Sequence, residues 1–402
     1  MAEIHLYGAD WCPDCKRSKR FLAEQRVPFV WHDIEVDEEA LRIVEERNSG
    51  KHIIPTIVFP DGTHLAEPSD EELADKLGIP RVARQHLYDL VIVGGGPTGL
   101  TTGIYAAREG IEALIVESKG LGGQAGVTER LDNYPGFPEG IGGAELADRF
   151  VRQAERYGVE MLKAVSVTDV GPVEEGCLRV STATGHDYLA RAVLIATGST
   201  YRRTGAAGEE ELVGAGVHFC ATCDGPFYRG SRELLVVGGG NSGLEEGLFL
   251  TQFTEHVTIV EFMDRLKASR ILQEKVLAHP KMSVLTGREV KEFRAGPDGK
   301  LEAVVVEDRA SGERTELHPA AAFIFVGLDP NSGFVAGKVE LDRFGFIVTD
   351  PSTFMTSIPG VFAAGDVRAG STKQLASAVG EGAAVALQIR AYLDAIGAPI
   401  RG

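Results

Sequence analysis

The sequence predicts an α/β chain of three parts: a small mixed domain carrying a dithiol, then two units of the dinucleotide-binding βαβ type. Three observations carry this expectation. Residues 1–78 alternate strand-like and helix-like patterns. Two glycine fingerprints, Gly94-Gly95-Gly96-Pro97-Thr98-Gly99 and Gly238-Gly239-Gly240-Asn241-Ser242-Gly243, each follow an apolar run and precede a helical one. Four of the 5 cysteines form two C-x-x-C pairs, Cys12/Cys15 and Cys220/Cys223.

In the first part, Ile4–Tyr7 reads as a strand, Pro13–Glu24 as a helix, Phe29–Ile34 as a strand and Glu38–Asn48 as an amphipathic helix. Thr56–Phe59 and Thr63–Leu65 flank Pro60-Asp61-Gly62, a hairpin signal. Ser69 caps a last helix whose first turn holds Asp70, Glu71 and Glu72. The order is β-α-β-α-β-β-α. Residues 79–86 show little periodicity and read as a linker.

From residue 87 the pattern changes to buried parallel strands. Asp89–Val93 leads into the first fingerprint, a helix and strand Ala113–Val116, which ends at Glu117. Leu234–Val237 leads into the second fingerprint, a helix and strand Val257–Val260, which ends at Glu261. Each acid stands 23 positions after its first glycine, so a whole βαβ unit is repeated. In such a unit the first glycine makes the tight turn. The second admits the pyrophosphate to the backbone, and the third lets helix pack on strand. The helix N-terminus faces the phosphates, and the acid accepts hydrogen bonds from a ribose. Gly94, Gly96, Pro97, Thr98, Gly99 and Glu117 are therefore candidates for one dinucleotide. Gly238, Gly240, Asn241, Ser242, Gly243 and Glu261 are candidates for another.

Bulk properties narrow the function classes. A net charge of −17 argues against non-specific binding to nucleic acid or an anionic membrane. No apolar run reaches bilayer length, and the N-terminus lacks signal-peptide features, so a cytoplasmic setting is expected. The cysteine count does not suit a secreted disulfide framework. Cys177 stands alone and reads as a core cysteine.

Residues 87–402 resemble thioredoxin reductases of the small bacterial type. The matching segments are Gly94–Gly99, Gly122-Gly123-Gln124, Asn133-Tyr134-Pro135-Gly136, Ala196-Thr197-Gly198, Cys220-Ala221-Thr222-Cys223-Asp224, Gly238–Gly243 and Gly365-Asp366, in family order. The resemblance implies FAD at the first fingerprint, with Glu117 on the adenosine ribose. Gly122, Gly123, Gln124, Asn133, Thr197, Gly198 and Gly365 belong to that site, and Asp366 lies at the ribityl or phosphate region. Gln374, Leu375 and Ala376 lie by the flavin ring. The resemblance also implies a nicotinamide domain (203–329) inserted into the FAD domain (87–202 and 330–402), and a homodimer. Cys223 is expected to face the flavin, Cys220 to attack the substrate disulfide and Asp224 to serve as acid/base.

The nicotinamide site departs from the commoner pattern. NADPH-dependent members carry a basic cluster after the second strand, where this sequence has Glu261-Phe262-Met263-Asp264. A carboxylate suits a free 2′-hydroxyl and repels a 2′-phosphate, which favours NADH over NADPH. The stretch resembles the NADH-linked flavoprotein subunit of alkyl hydroperoxide reductase. Arg265, Lys267 and Arg270 lie past the strand end and read as solvated charges.

The two C-x-x-C pairs are about 200 residues apart, which argues against a shared zinc site, so no metal is expected. Trp11-Cys12-Pro13-Asp14-Cys15 sits where a strand meets a helix, and a helix N-terminus stabilises a thiolate. Residues 1–78 are similar to glutaredoxins, and closer still to mycoredoxins, through Pro55-Thr56-Ile57-Val58-Phe59-Pro60-Asp61-Gly62. That resemblance implies a thioredoxin-like fold with Cys12 as exposed nucleophile, Cys15 as resolving thiol and Pro55 as a cis-proline. Gly8-Ala9-Asp10 and Glu67-Pro68-Ser69 replace the usual glutathione-binding features. Mycothiol, another small thiol, thioredoxin or a peroxiredoxin stays open as the partner.

The expected activity is a flavin-dependent disulfide reductase. Electrons pass from NAD(P)H through FAD and Cys220/Cys223 to Cys12/Cys15 and on to an external disulfide. The alternatives are a dedicated peroxiredoxin or alkyl hydroperoxide reductase flavoprotein, and a redox-sensing module without turnover.

Overall fold

The computed structural model describes residues 3–127, 131, 133–173 and 176–398, without the side chains of Val127, Thr222 and Cys223. Two compact units emerge. The first comprises residues 1–127, 143–198 and 330–402, and the second 128–142 and 199–329.

The first unit begins with β1 (Ile4–Gly8), α1 (Pro13–Glu24), β2 (Phe29–Asp33), α2 (Glu38–Arg47), β3 (Thr56–Val58), β4 (His64–Ala66) and α3 (Asp70–Lys76). The sheet order is β2-β1-β3-β4, with β1 parallel to β2 and antiparallel to β3. Local chemistry sets each helix start. Pro13 occupies the first turn of α1, where its missing N–H costs nothing. Asp37 accepts from the Glu39 and Ala40 amides to open α2. Ser69 and Glu72 form a reciprocal capping box on α3. Leu6, Leu22, Ile57 and Leu73 are fully buried between sheet and helices. Each such side chain contributes about 1.5–3 kcal/mol.

The segment read as a linker is pinned. Arg81 pairs with Glu71, and the Lys163 amide donates to Pro80 O. Ala83 N–H donates to Tyr188 Oη at 3.0 Å, and Arg84 N–H to Glu160 Oε1 at 2.7 Å. Its lack of periodicity reflects these side-chain anchors rather than freedom.

The larger sheet of this unit has the order β7-β6-β5-β10-β9-β8. Its strands are β5 (Leu87–Val93), β6 (Ala113–Val116), β7 (Glu160–Leu162), β8 (Val167–Pro172), β9 (Leu178–Thr182) and β10 (Asp187–Ile195). Strand 361–363 adds to β10 in parallel. On one face pack α4 (Pro97–Arg108) and helix Leu375–Ala395, over Leu90, Ile92, Leu194 and Phe362. Val91, Val93 and Val193 fill the other face. β5 is buried on both sides, as its continuous apolar run requires.

The second unit holds a five-stranded parallel sheet. Its order is 217–218, 321–324, 231–237, 254–260, 282–285. Strands 288–295, 301–308 and 314–317 form a separate antiparallel sheet. Helix Asn241–Leu250 follows the central strand. No described helix is long and apolar enough to cross a membrane.

Candidate active site

The two fingerprints fold alike. Gly94 has φ +110° and Gly238 φ +122°, in the region that favours glycine. A Cβ at Gly94 would lie 2.4 Å from Ala196 O, and one at Gly238 2.4 Å from Phe325 O. A Cβ at Gly99 or Gly243 would stand 1.9 Å from the carbonyl oxygen of Gly94 or Gly238. The helix N-terminus is thereby held against the turn in both copies. In the first copy the Gly95 amide donates to Glu117 Oε2 at 2.7 Å and the Lys119 amide to Oε1 at 2.7 Å. In the second the Gly239 amide donates to Glu261 Oε2 and the Met263 amide to Oε1 at 2.8 Å. Each acid is clamped by the second glycine and by the residue two places past itself. Burial pushes the Glu117 carboxyl up from its ordinary value, against the pull of these amides.

Gly122 and Gly123 lie directly on the first turn, and Gln124 follows them in the short helix Gly123–Val127. The Gly122 amide donates to Gly95 O at 2.8 Å, and a Cβ at Gly123 would come 3.1 Å from Gly96 Cα. Pro97 and Thr98 open α4, but the Thr98 hydroxyl donates to Ala378 O at 3.0 Å and so serves the helix contact. Thr197 exchanges two hydrogen bonds with Asn331, and Gly198 follows with φ +68°. Gly365 receives the α4 side closely, since a Cβ there would meet Thr98 Oγ1 at 2.3 Å. Gln374, Leu375 and Ala376 form the start of helix 375–395. Asn133 belongs to the second unit.

Asp366 supplies the observation that bears on a ligand. It is half-buried, its Oδ1 has no partner within the protein, and burial raises its pKa. A hydroxyl from a bound dinucleotide would satisfy that oxygen. Sequence reasoning missed its surroundings. Lys373 Nζ donates to Asp366 O at 2.6 Å, while Glu381 accepts from the Gly365 amide and pairs with Arg368. The donor and acceptor set fits a dinucleotide at the first fingerprint.

Around the second fingerprint, Asn241 Oδ1 accepts from the Ser269 amide at 2.7 Å. Gly240 and Ser242 stand at the helix start. Arg265, Lys267 and Arg270 are exposed, and Arg270 pairs with Glu274. A different cation, Arg309, donates to Phe262 O at 3.1 Å and stacks on the Phe262 ring.

Cys220 is half-buried and disulfide-bonded, just before the short helix Ala221–Asp224. The side chain of Cys223 lies outside the described residues. Asp224 Oδ2 stands 3.4 Å from His218 Nδ1, and His218 Nε2 is 2.7 Å from Tyr228 Oη. His218 is buried against Phe323. This His218–Tyr228 pair behind Asp224 was not anticipated. Its signal in the sequence was a histidine two positions before Cys220.

At the first dithiol, Cys12 is the N-cap of α1 and its Sγ accepts from the Cys15 amide at 3.2 Å. Pro55 follows Ile54 through a cis bond, and Ile54 O stands 3.9 Å from Cys12 Sγ. The sequence suggested an exposed nucleophile, yet Cys12 is only 5% accessible. The loop around Ile54 covers it. The two thiols differ instead in electrostatics. Burial, and then the Cys12 sulfur, push the Cys15 thiol up to about 12, while Cys12 Sγ takes the helix-terminal amide of Cys15. Gly8 makes room for this pair: a Cβ there would sit 2.5 Å from Cys15 Sγ. Nearby cations are engaged internally. Lys19 pairs with Asp10, and Arg17 with Asp14 and Asp70. No cluster of three or more His, Cys, Asp or Glu suited to a metal occurs among the described residues.

The thiol asymmetry predicts selective alkylation. Reduced protein treated briefly with iodoacetamide at pH 8 and mapped by peptide mass spectrometry should carry the label on Cys12 and not on Cys15. Because burial pushes the Cys15 thiol up to about 12, its labelling should rise about tenfold per pH unit below that value. Equal labelling at pH 8 contradicts the assignment.

Comparison with known proteins agrees with this geometry. Residues 88–382 match the pyridine nucleotide-disulphide oxidoreductase family model, and residues 4–65 that of glutaredoxins. The thioredoxin reductase of Mycolicibacterium smegmatis is 39% identical over 310 residues, covering 77% of this chain and 97% of that protein. That of Bacillus subtilis (strain 168) is 38% identical over 314 residues, covering 78% and 97%. The crystal structure of thioredoxin reductase from Streptococcus pyogenes superposes with a TM-score of 0.71 at 39% identity, over 77% of this chain and 99% of that one. The Giardia duodenalis thioredoxin reductase structure gives 0.72 at 32% identity, over 77% and 100%. The chain therefore belongs to the pyridine nucleotide-disulphide oxidoreductase family, as an oxidoreductase of the thioredoxin-reductase type with a glutaredoxin domain fused at its N-terminus.

Proposed function

We propose that this chain is a two-dithiol reductase, in which Cys220/Cys223 reduces Cys12/Cys15 and that pair reduces an external disulfide. The observation that carries the reading is a cysteine at a helix N-cap, Cys12, beside a resolving thiol kept protonated, in one chain with a second dithiol and two fingerprints. FAD suits the first fingerprint: Gly94, Gly96 and Gly99 shape the phosphate turn, Glu117 meets a ribose and Asp366 Oδ1 takes a hydroxyl. Bound there, FAD supplies the two-electron step between the reduced nicotinamide and the inner dithiol.

The Cys220 thiolate attacks the Cys12 sulfur of an oxidised Cys12–Cys15 pair, and the Cys15 thiolate leaves. Its high pKa favours taking up a proton. Cys223 then attacks Cys220, closes the inner disulfide and releases Cys12. Asp224 holds the proton these exchanges need, with His218 and Tyr228 behind it to orient the carboxylate. Cys12 next attacks the external disulfide, and Cys15 resolves the mixed disulfide.

The external substrate is proposed to be a protein disulfide, or a small thiol other than glutathione. Glutathione offers two carboxylates, and the cations near the dithiol already neutralise Asp10, Asp14 and Asp70. A homodimer in a reducing, cytoplasmic setting completes the reading.

NADH is proposed as the donor. Glu261 is 8% accessible and held by two backbone amides, so its carboxylate cannot swing away from a 2′-phosphate.

Two outcomes follow. Cys12→Ser should lower the rate on the external disulfide by at least about a hundredfold, while flavin bleaching by NADH persists. An unchanged rate removes the relay. Glu261→Gln keeps an acceptor for Gly239 and removes the charge. The NADH over NADPH ratio of kcat/KM should fall on the order of tenfold. A wild-type preference for NADPH contradicts the assignment of Glu261.

A further inference from the structure

The end of α1 opposite the dithiol carries a second set of contacts. Arg26 has φ +55°, in the left-handed region that a non-glycine residue rarely adopts. Its Nη1 pairs with Asp148 on helix Gly143–Arg156. Its Nη2 donates to Leu121 O at 2.8 Å. A Cβ at Gly122 or at Gly126 would each stand 2.5 Å from that Nη2, so both glycines make room for the guanidinium. Gln25 Nε2 donates to Lys119 O at 3.0 Å. A Cβ at Gly120 would stand 1.7 Å from Glu24 O. Residues 24–26 thus grip the segment 119–126 along its length.

The same segment touches the first fingerprint on its other side. Gly122 donates to Gly95 O, Gly123 packs on Gly96, and the Lys119 amide clamps Glu117. The segment is held between the glutaredoxin domain and the phosphate turn. An exposed ion pair alone is a weak fixture. The charged donor on a backbone carbonyl and the fit against Gly122 and Gly126 make this one specific.

We propose that the glutaredoxin domain is a structural part of the FAD site: Arg26 buttresses residues 119–126, so that docking of the domain and retention of FAD are coupled. The proposal rests on the reading that the first fingerprint takes FAD. Coupling is reciprocal: whatever undocks Arg26 weakens FAD binding, and bound FAD strengthens docking by the same factor. The geometry leaves the dithiol clear of this contact. α1 has 12 residues and spans about 18 Å, with Cys12 at the far end. The domain can stay docked while Cys12 serves a partner.

The test uses the full-length chain with FAD, comparing wild type, Arg26→Ala and Gly120→Ala. The two substitutions disturb the same interface from opposite sides, through Arg26 and through the Gly120–Glu24 approach. FAD affinity, read by flavin fluorescence, should fall about tenfold in each. Hydrogen exchange at the amides of 119–127 should quicken, while α1 stays protected, which reports that the glutaredoxin domain remains folded. Affinity within twofold of wild type and unchanged exchange in both variants overturn the buttress and leave the FAD reading intact. A wild-type chain that binds no FAD overturns both.

Discussion

Two close approaches that only glycine permits set the rest of this molecule. A Cβ at Gly99 would lie 1.9 Å from Gly94 O, and one at Gly243 1.9 Å from Gly238 O. Because neither carries one, each helix starts flush against its strand turn, with its free amides aimed at a phosphate position. The amide left over at the second glycine then fixes the acid at the end of the next strand. Glu117 and Glu261 are held in the same way by equivalent amides. The duplication is therefore one of geometry as well as of sequence. A Cβ at either third glycine would displace both the helix and its carboxylate.

The fused domain uses the same physics for sulfur. The N-terminus of α1 presents an amide to Cys12 Sγ, while burial keeps Cys15 protonated. One helix terminus thereby holds two thiols in different settings, Cys12 facing an amide and Cys15 buried behind it. Gly8 is the constraint that lets the pair fit, as Gly99 and Gly243 are for the dinucleotide turns. The helix serves at both ends: dithiol chemistry at its start, and attachment to the larger domain just beyond its finish.

Features that depend on a few adjacent residues were legible in the sequence. Ser69 with Glu72, Pro13 in the first turn of α1, the glycine fingerprints and the alternation of β1 to α3 all emerge as expected. Features built across long separations were not. Arg26 meets Asp148 across 122 residues, and Ala83 meets Tyr188 across 105, so neither leaves a local pattern. This is why 79–86 shows little periodicity in the sequence. The Thr98 hydroxyl donates to Ala378 on a helix 280 residues away, a contact that leaves no local pattern. His218 went unnoticed because its partnership with Asp224 and Tyr228 exists only once strand 217–218 joins the sheet. The low exposure of Cys12 likewise depends on the Ile54 carbonyl 42 residues on.

These elements form a chain with two dithiols of distinct setting, one at Cys220 beside the His218–Asp224 pair and one at a helix N-cap. The central claim is that the two exchange electrons. An anaerobic titration with NADH measures this directly, by counting the reducing equivalents taken up by the oxidised full-length protein and by the Cys12→Ser/Cys15→Ser variant. The account predicts that the wild type accepts one further two-electron equivalent before excess NADH accumulates. Equal uptake by the two proteins would contradict it.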